Sequence, residues 1–280
     1  GDSNNCNFSY ENGVSMNFKQ LGDLTTRYWV AKRPPKYDEN IKVNVSFSAL
    51  NFKDVMLSYG KLNKDAILGF TKDGFIGFEM SGKVEERRVM GFALNSIANI
   101  VHTKENMIWD VPDDWTLAEA ATVPTVYATA YYSLIIRGNL KRKESVLIHA
   151  GTGGVGLAAI TIALSMECNV FTTCSTEEKT KFLLKRFPKL NSLNIGYSRD
   201  SSFEEMIMSK TNNQGVNLVL NSFSGELMHA SLRCVAKHGH FIEIGKYDLI
   251  NNTKIGLQPF ISNISYHAID LDQVFSSGKI

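Results

Sequence analysis

The residues best equipped to do chemistry are glycines. His149-Ala150-Gly151-Thr152-Gly153-Gly154-Val155-Gly156 has GxGxxG spacing at Gly151, Gly153 and Gly156. It follows an apolar run, Ser145 to Ala150, and opens a second one, Leu157 to Met166. Between a strand and a helix each glycine has its own task. Gly151 permits the tight turn, Gly153 lets backbone approach a pyrophosphate, and Gly156 lets helix and strand pack closely. Gly154 and Val155 begin the helix, whose free N–H groups and positive dipole end face the phosphates. A ligand-free glycine turn is the plain alternative, which this context disfavours.

The following strand, Asn169 to Thr173, selects the nucleotide. An acid at its tip, about 20 residues past the glycines, would bond a ribose 2′-hydroxyl. Here the strand runs out as Thr172-Thr173-Cys174-Ser175, with no acid. The Ser175 hydroxyl, Lys179 four residues on and Arg199 beyond the third element suit a 2′-phosphate instead. The expected cofactor is NADPH. In the alternative, Lys179 (beside Glu177 and Glu178) and Arg199 are solvated surface charges.

These groups need a scaffold. At roughly 150 residues per domain, 280 residues predict about two domains. Hydrophobic residues at 44% and charged residues at 21% are ordinary for a chain with a sizeable core. From Leu21 to about Val111, short runs are broken by glycines. Lys42 to Leu50 alternates with period two, a strand with one buried face. Asn51 and Asp54 precede or open a helix, Phe52 to Tyr59. Asp114 or Thr116 caps another helix, with Glu119 completing a capping box. Ala120 to Ile136 reads as buried helix. After Pro124 strands and helices alternate. Strands are expected at Ser145–Ala150, Asn169–Thr173, Val216–Leu220, Gly239–Ile244 and Ile264–Ile269. Helices are expected at Leu157–Met166, Glu177–Arg186, Phe203–Lys210 and Glu226–Lys237. That grammar predicts an α/β fold: a β-rich domain followed by a doubly wound parallel sheet.

Thirty basic residues against 28 acidic ones leave a net charge of +2, no footprint for nucleic acid and no polybasic membrane anchor. The polar stretch Gly1 to Tyr10 lacks the apolar core of a signal peptide. Cys6, Cys168, Cys174 and Cys234 have no zinc-ribbon spacing, and scattered cysteines fit a reducing compartment. His149, on a buried strand, reads as a satisfied core residue rather than a base. The other five histidines show no ligand spacing.

Ala150 to Gly156, Ala120 to Tyr132 and Asn51-Phe-Lys-Asp54 resemble the medium-chain dehydrogenase/reductase superfamily. Within it the chain is most similar to the enoyl reductase domain of animal fatty acid synthase. The supporting strings are Ala49 to Leu57, Tyr59 to Leu62, Arg88 to Gly91, Trp109 to Pro112, Val170 to Thr173, Ser198 to Asp200, Leu218 to Ser222 and Glu243 to Leu249. They stand in family order across most of the chain.

The resemblance implies a GroES-like substrate domain over 1–123, a Rossmann domain over 124–270, and the start of a return to the substrate domain over 271–280. The family continues beyond the point where Ile280 ends the sequence, so either a fragment or an incomplete gene product is expected. The implied reaction is NADPH-dependent reduction of a trans-2-enoyl thioester on acyl carrier protein. The implied setting is a cytoplasmic, homodimeric multienzyme, with neither nucleic acid nor membrane as partner. A zinc-free quinone oxidoreductase and a non-catalytic nucleotide-binding scaffold are the rivals.

Gly77-Phe78-Glu79 occupies the place of the Gly-His-Glu element of zinc enzymes. Phenylalanine cannot ligate a metal, so a metal-free site is expected. The proton donors carried over are Lys246 and Asp272. For Lys246 a cofactor or surface contact stands as the alternative, and for Asp272 a helix cap. Asp270 lies two residues from Asp272. Asn51 and Asp54 either line the nicotinamide pocket or cap their helix. Thr129 and Asn221 are carried over as cofactor neighbours.

Overall fold

A computed structural model of the chain describes residues 13–32, 41–61 and 76–271. Two compact units divide between Thr125 and Val126, the second running Val126–Leu271.

The first unit is antiparallel. β1 (Val14–Phe18) and β2 (Arg27–Ala31) form a hairpin. β3 (Ile41–Ser48) leads to α1 (Phe52–Ser58), then come β4 (Glu79–Val84), β5 (Arg87–Phe92), β6 (Ile100–Thr103), β7 (Ile108–Asp110) and the short helix α2 (Leu117–Ala120). These strands make a five-stranded sheet in the order β6-β3-β4-β5-β7. Its core is Val43, Met80, Val89, Ala93, Val101 and Ile108. The alternation expected over Lys42 to Leu50 stops short. The pairing of β3 with β4 shifts register between Val45 and Phe47, and Phe47 is exposed. The expected capping box is present: Thr116 caps α2 by accepting from the Glu119 N–H, and Glu119 accepts from the Thr116 N–H.

The run Ala120 to Ile136 is not one helix. α3 (Pro124–Tyr131) starts at a proline, which suits a first turn. It passes into a wider π-helical segment, Tyr132–Arg137. In the second unit follow β8 (Ser145–Ile148), α4 (Gly154–Ser165), β9 (Asn169–Cys174), α5 (Glu177–Arg186), β10 (Ile195–Tyr197), α6 (Ser202–Lys210), β11 (Val216–Asn221), α7 (Glu226–Arg233), β12 (Val235–Glu243), α8 (Tyr247–Ile250) and β13 (Ser265–Ala268). The sheet is parallel throughout, in the order β10-β9-β8-β11-β12-β13.

Buried parallel strands read as continuous apolar runs because both faces are covered. In β8, Val146 and Ile148 join one core with Ala158, Ala163 and Leu183. Leu147 joins the other with Phe171, Phe203 and Phe241. Each fully buried Val, Leu, Ile or Phe side chain among these contributes about 1.5–3 kcal/mol. Two expectations need correction. The helix from Glu226 ends at Arg233 and not Lys237, because Val235 is already paired with Val216 in β12. β10, only three residues long, was not anticipated. Among the described residues no helix is long and apolar enough to cross a membrane.

Candidate functional site

The sheet order sets the place. β8 and β11 are adjacent, and the chain leaves β8 toward β9 but β11 toward β12, in opposite directions, which opens a crevice at their carboxyl ends. The glycine loop fills the mouth of that crevice. A Cβ at Gly151 would stand 2.1 Å from Thr172 Oγ1, a hydroxyl fixed by donating to the Ile148 carbonyl at 2.7 Å. A Cβ at Gly156 would stand 2.4 Å from the Ala150 carbonyl oxygen and 2.8 Å from Gly151 Cα. At Gly153 a Cβ would meet only the Ala150 oxygen, at 3.2 Å. Gly151 and Gly156 are therefore packing glycines, buried in the turn, while Gly153 and Gly154 face outward. Ala150 takes a left-handed φ of 51°, an uncommon conformation for alanine that the turn imposes. No side chain caps the N-terminus of α4, so its first N–H groups are free for a ligand's oxygens. This is a cradle that fits a pyrophosphate.

Ser175 and Lys179 meet at the rim, and the backbone of Arg199 follows nearby. Lys179 Nζ donates to Ser175 Oγ at 3.3 Å. Thr176 caps α5 by accepting from the Lys179 N–H. β10 pairs Tyr197 with Cys174, and the Ser198 N–H donates to the Cys174 carbonyl, so Arg199 follows directly beside the tip of β9. Arg199 is exposed. Glu177, two residues before Lys179, pairs with Lys181 at 2.8 Å.

Lys246 and its surroundings lie past β12. Its Nζ donates to the Ile269 carbonyl at 2.9 Å and pairs with Asp270 Oδ1 at 3.2 Å. Asp272 lies outside the described residues. Asn221 is wholly buried at the end of β11. Its amide donates to Glu243 Oε2 at 2.5 Å and to the Phe223 carbonyl at 2.8 Å. Asn221 thus holds its neighbours inside the protein; no part of its side chain faces out to a ligand. Glu243, which sequence reasoning passed over, is 1% exposed and accepts from the Gly245 N–H at 2.6 Å. Burial pushes its carboxyl up to about 7, against the pull of the Asn221 and Gly245 donors. A lone acid closing the apolar run Phe241-Ile242 was the signal available.

In the first unit Asn51 and Asp54 do structural work around α1. The Asn51 N–H donates to Asp54 Oδ2 and the Gly77 N–H to Asp54 Oδ1, both at 2.7 Å. Of the two readings for Asp54, the helix cap is what the geometry shows. Asn51 Nδ2 donates to Glu79 Oε1, and the Thr125 N–H to Glu79 Oε2, again at 2.7 Å. Burial pushes both carboxyls upward. Thr129 sits half-buried in α3. His149 is a core residue. Ser231 donates its own proton to Leu227, so His149 Nε2–H donates to Ser231 and Nδ1 accepts from Thr173. Burial pushes the imidazole down to about 3, so it is neutral.

Residues 154–267 match the family described as zinc-binding dehydrogenase. The residues described do not fit a zinc ion: Phe78 cannot ligate, both Glu79 oxygens accept N–H groups, and no three His, Cys, Asp or Glu gather among the described residues. The highly reducing polyketide synthase claI of Penicillium crustosum is 34% identical over 270 residues, 94% of this chain but 12% of that protein. The chain therefore spans a small part of the curated relatives it matches. Among solved structures, the CurK enoyl reductase superposes with a TM-score of 0.82 at 28% identity, covering 95% of this chain and 83% of that one. The JamJ enoyl reductase, in its apo form, gives 0.80 at 28% identity, with the same coverage. The chain has the fold of the medium-chain dehydrogenases and reductases, with an antiparallel β unit and a parallel-sheet Rossmann unit, as the enoyl reductase structures have.

Proposed function

We propose that the chain is the enoyl reductase domain of a multidomain synthase, saturating the 2,3-double bond of a thioester carried on acyl carrier protein. The observation that carries this reading is the acid-free rim of Ser175, Lys179 and Arg199 beside the glycine cradle. It supports NADPH, the reductant of biosynthesis, over NADH. The names of CurK, JamJ and claI support enoyl reduction within a polyketide synthase. The animal fatty acid synthase named by the sequence resemblance is the second setting; both build on carrier-bound 2-enoyl thioesters.

When bound, NADPH supplies the hydride that reaches C3 of the enoyl group. The N–H groups of Gly154, Val155 and Gly156 hold the pyrophosphate, and Ser175, Lys179 and Arg199 hold the 2′-phosphate. As C3 is reduced, negative charge builds on C2 and the thioester oxygen. The Lys246 ammonium, oriented by Ile269 and Asp270, faces that charge and delivers a proton to C2. Asp272 is the second candidate donor. Asn51, held by Glu79, and Thr129 are each proposed as cofactor neighbours within their own units. The partners are the acyl carrier protein domain, the sister synthase domains and a second copy of the chain in a homodimer, in the cytoplasm.

The test is NADPH oxidation by the parent protein with crotonyl-pantetheine thioester, against NADH and a quinone. Thioester-dependent, NADPH-preferring turnover is expected. Turnover of quinone alone would make the protein a quinone oxidoreductase, and NADPH binding without turnover would make it a scaffold.

A further inference from the structure

The end of β12 and the turn after it, Glu243-Ile244-Gly245-Lys246, are held by a hydrogen bond at each residue. The Ile244 N–H donates to the Asn221 carbonyl at 3.0 Å, and the Ile269 N–H donates to the Glu243 carbonyl at 2.8 Å. Lys246 Nζ returns to the carbonyl of the same Ile269. Between these ties sits the buried Glu243 carboxyl, one oxygen on the Gly245 N–H and the other on Asn221. A Cβ at Gly245 would stand 2.7 Å from Glu243 Oε1, so the carboxylate reaches the peptide because that residue is glycine. The Gly245 peptide so held is the one that precedes Lys246.

We propose that Glu243 is the positioning residue for Lys246, fixing the Gly245 turn so that the ammonium stays between Ile269 and Asp270. The inference rests on the enoyl reductase reading for the importance of Lys246, though not for its geometry. Both Glu243 oxygens accept from N–H donors, so the arrangement requires the ionised carboxylate. A protonated oxygen turned toward an N–H forfeits that bond. The charged and titratable groups around it are Lys246 and Asp248 from the turn and α8, Tyr266 from β13, and Asp270 beyond β13. The ionised fraction changes near neutrality, because burial raises the carboxyl to about 7. Lys246 is therefore held most firmly on the alkaline side of that value.

The experiment compares wild type, E243Q and E243D in the parent protein by three readings. These are kcat against pH with crotonyl-pantetheine, NADPH affinity by fluorescence titration, and the acetylation rate of Lys246 followed by peptide mass spectrometry without substrate. E243Q is expected to lower kcat about tenfold, the worth of one hydrogen bond. It is also expected to erase the acid limb near pH 7, speed Lys246 acetylation and leave NADPH affinity unchanged. E243D keeps the charge but withdraws it by one methylene, so it should retain the limb at reduced kcat. Wild-type kcat and acetylation in E243Q would overturn the proposal. So would a parallel loss of NADPH affinity, which would assign Glu243 to the cofactor cradle. If E243Q does not fold, wild-type kcat and acetylation in E243D overturn it equally. If wild type turns over no thioester, the functional reading fails while acetylation still decides the positioning role.

Discussion

Replacing Lys179 and Arg199 by alanine tests the cofactor assignment at its rim. Lys179 reaches Ser175 Oγ at 3.3 Å, and Arg199 emerges beside the same strand tip, so both side chains can address one phosphate. Both are exposed, which places each contact at the low end for a charged hydrogen bond, about 1.5 kcal/mol. That corresponds to roughly tenfold in affinity for each variant. The two partners share one phosphate, so the double variant should lose somewhat less than the hundredfold their product gives. Neither residue contacts anything that NADH also carries at that position, so NADH affinity should not move. The difference should shrink with salt, since the Debye length falls from about 10 Å at 0.1 M to about 3 Å at 1 M. Isothermal titration of both nucleotides at two ionic strengths reads all of this. Equal losses for NADPH and NADH, or no loss for either, would refute the reasoning.

Glu243 should make stability pH-dependent. Its folded carboxyl lies near 7 against an ordinary 4.5, so the native state holds the extra proton between those values. Stability is full below about 4.5 and falls by about 3 kcal/mol as pH rises through 7. Urea unfolding at several pH values should show that decline in wild type and lose it in E243Q. Gly156→Ala puts a methyl 2.4 Å from a backbone oxygen and should cost about 1–3 kcal/mol, with loss of NADPH binding. Thermal unfolding and titration check it. His149, buried and neutral, should show no imidazole titration by NMR between pH 5 and 8. Its contribution to stability should weaken only as pH falls below 6.5, where the unfolded chain takes up the proton. Thr116→Ala should cost about 1 kcal/mol through loss of the cap on α2.

Much of the Rossmann unit was legible in sequence because its strands are buried on both faces. Val146-Leu147-Ile148 and Leu218-Val219-Leu220 read as unbroken apolar runs for that reason. α5 was legible end to end because Thr176 caps it and Phe187 leaves helical geometry ahead of Pro188. β10 was not, since three residues ending in an exposed tyrosine carry no period. The end of α7 was missed because Val235 is as compatible with an amphipathic helix as with a strand, and only its partner Val216 decides. At the site, the rim cations are proposed from what the strand tip lacks. Glu243 was missed because its role depends on Asn221 and Gly245, contacts made across two strands that spacing along one strand does not encode. The same limit left the Lys246–Asp270 pair unseen.

The position of β8 between β9 and β11 has a consequence for how the protein comes into being. Its ladder to β9 closes over a short stretch, but Val146 meets its partner Leu218 only after three further elements of strand and helix have been laid down. Contacts so distant in sequence form slowly, because the loop must be closed before the ladder repays it. A chain emerging amino end first carries its whole glycine loop long before the crevice that gives the loop a use. Nucleotide binding is then a property of the finished sheet, and any reductant present at synthesis can recognise only chains that have already brought β11 home.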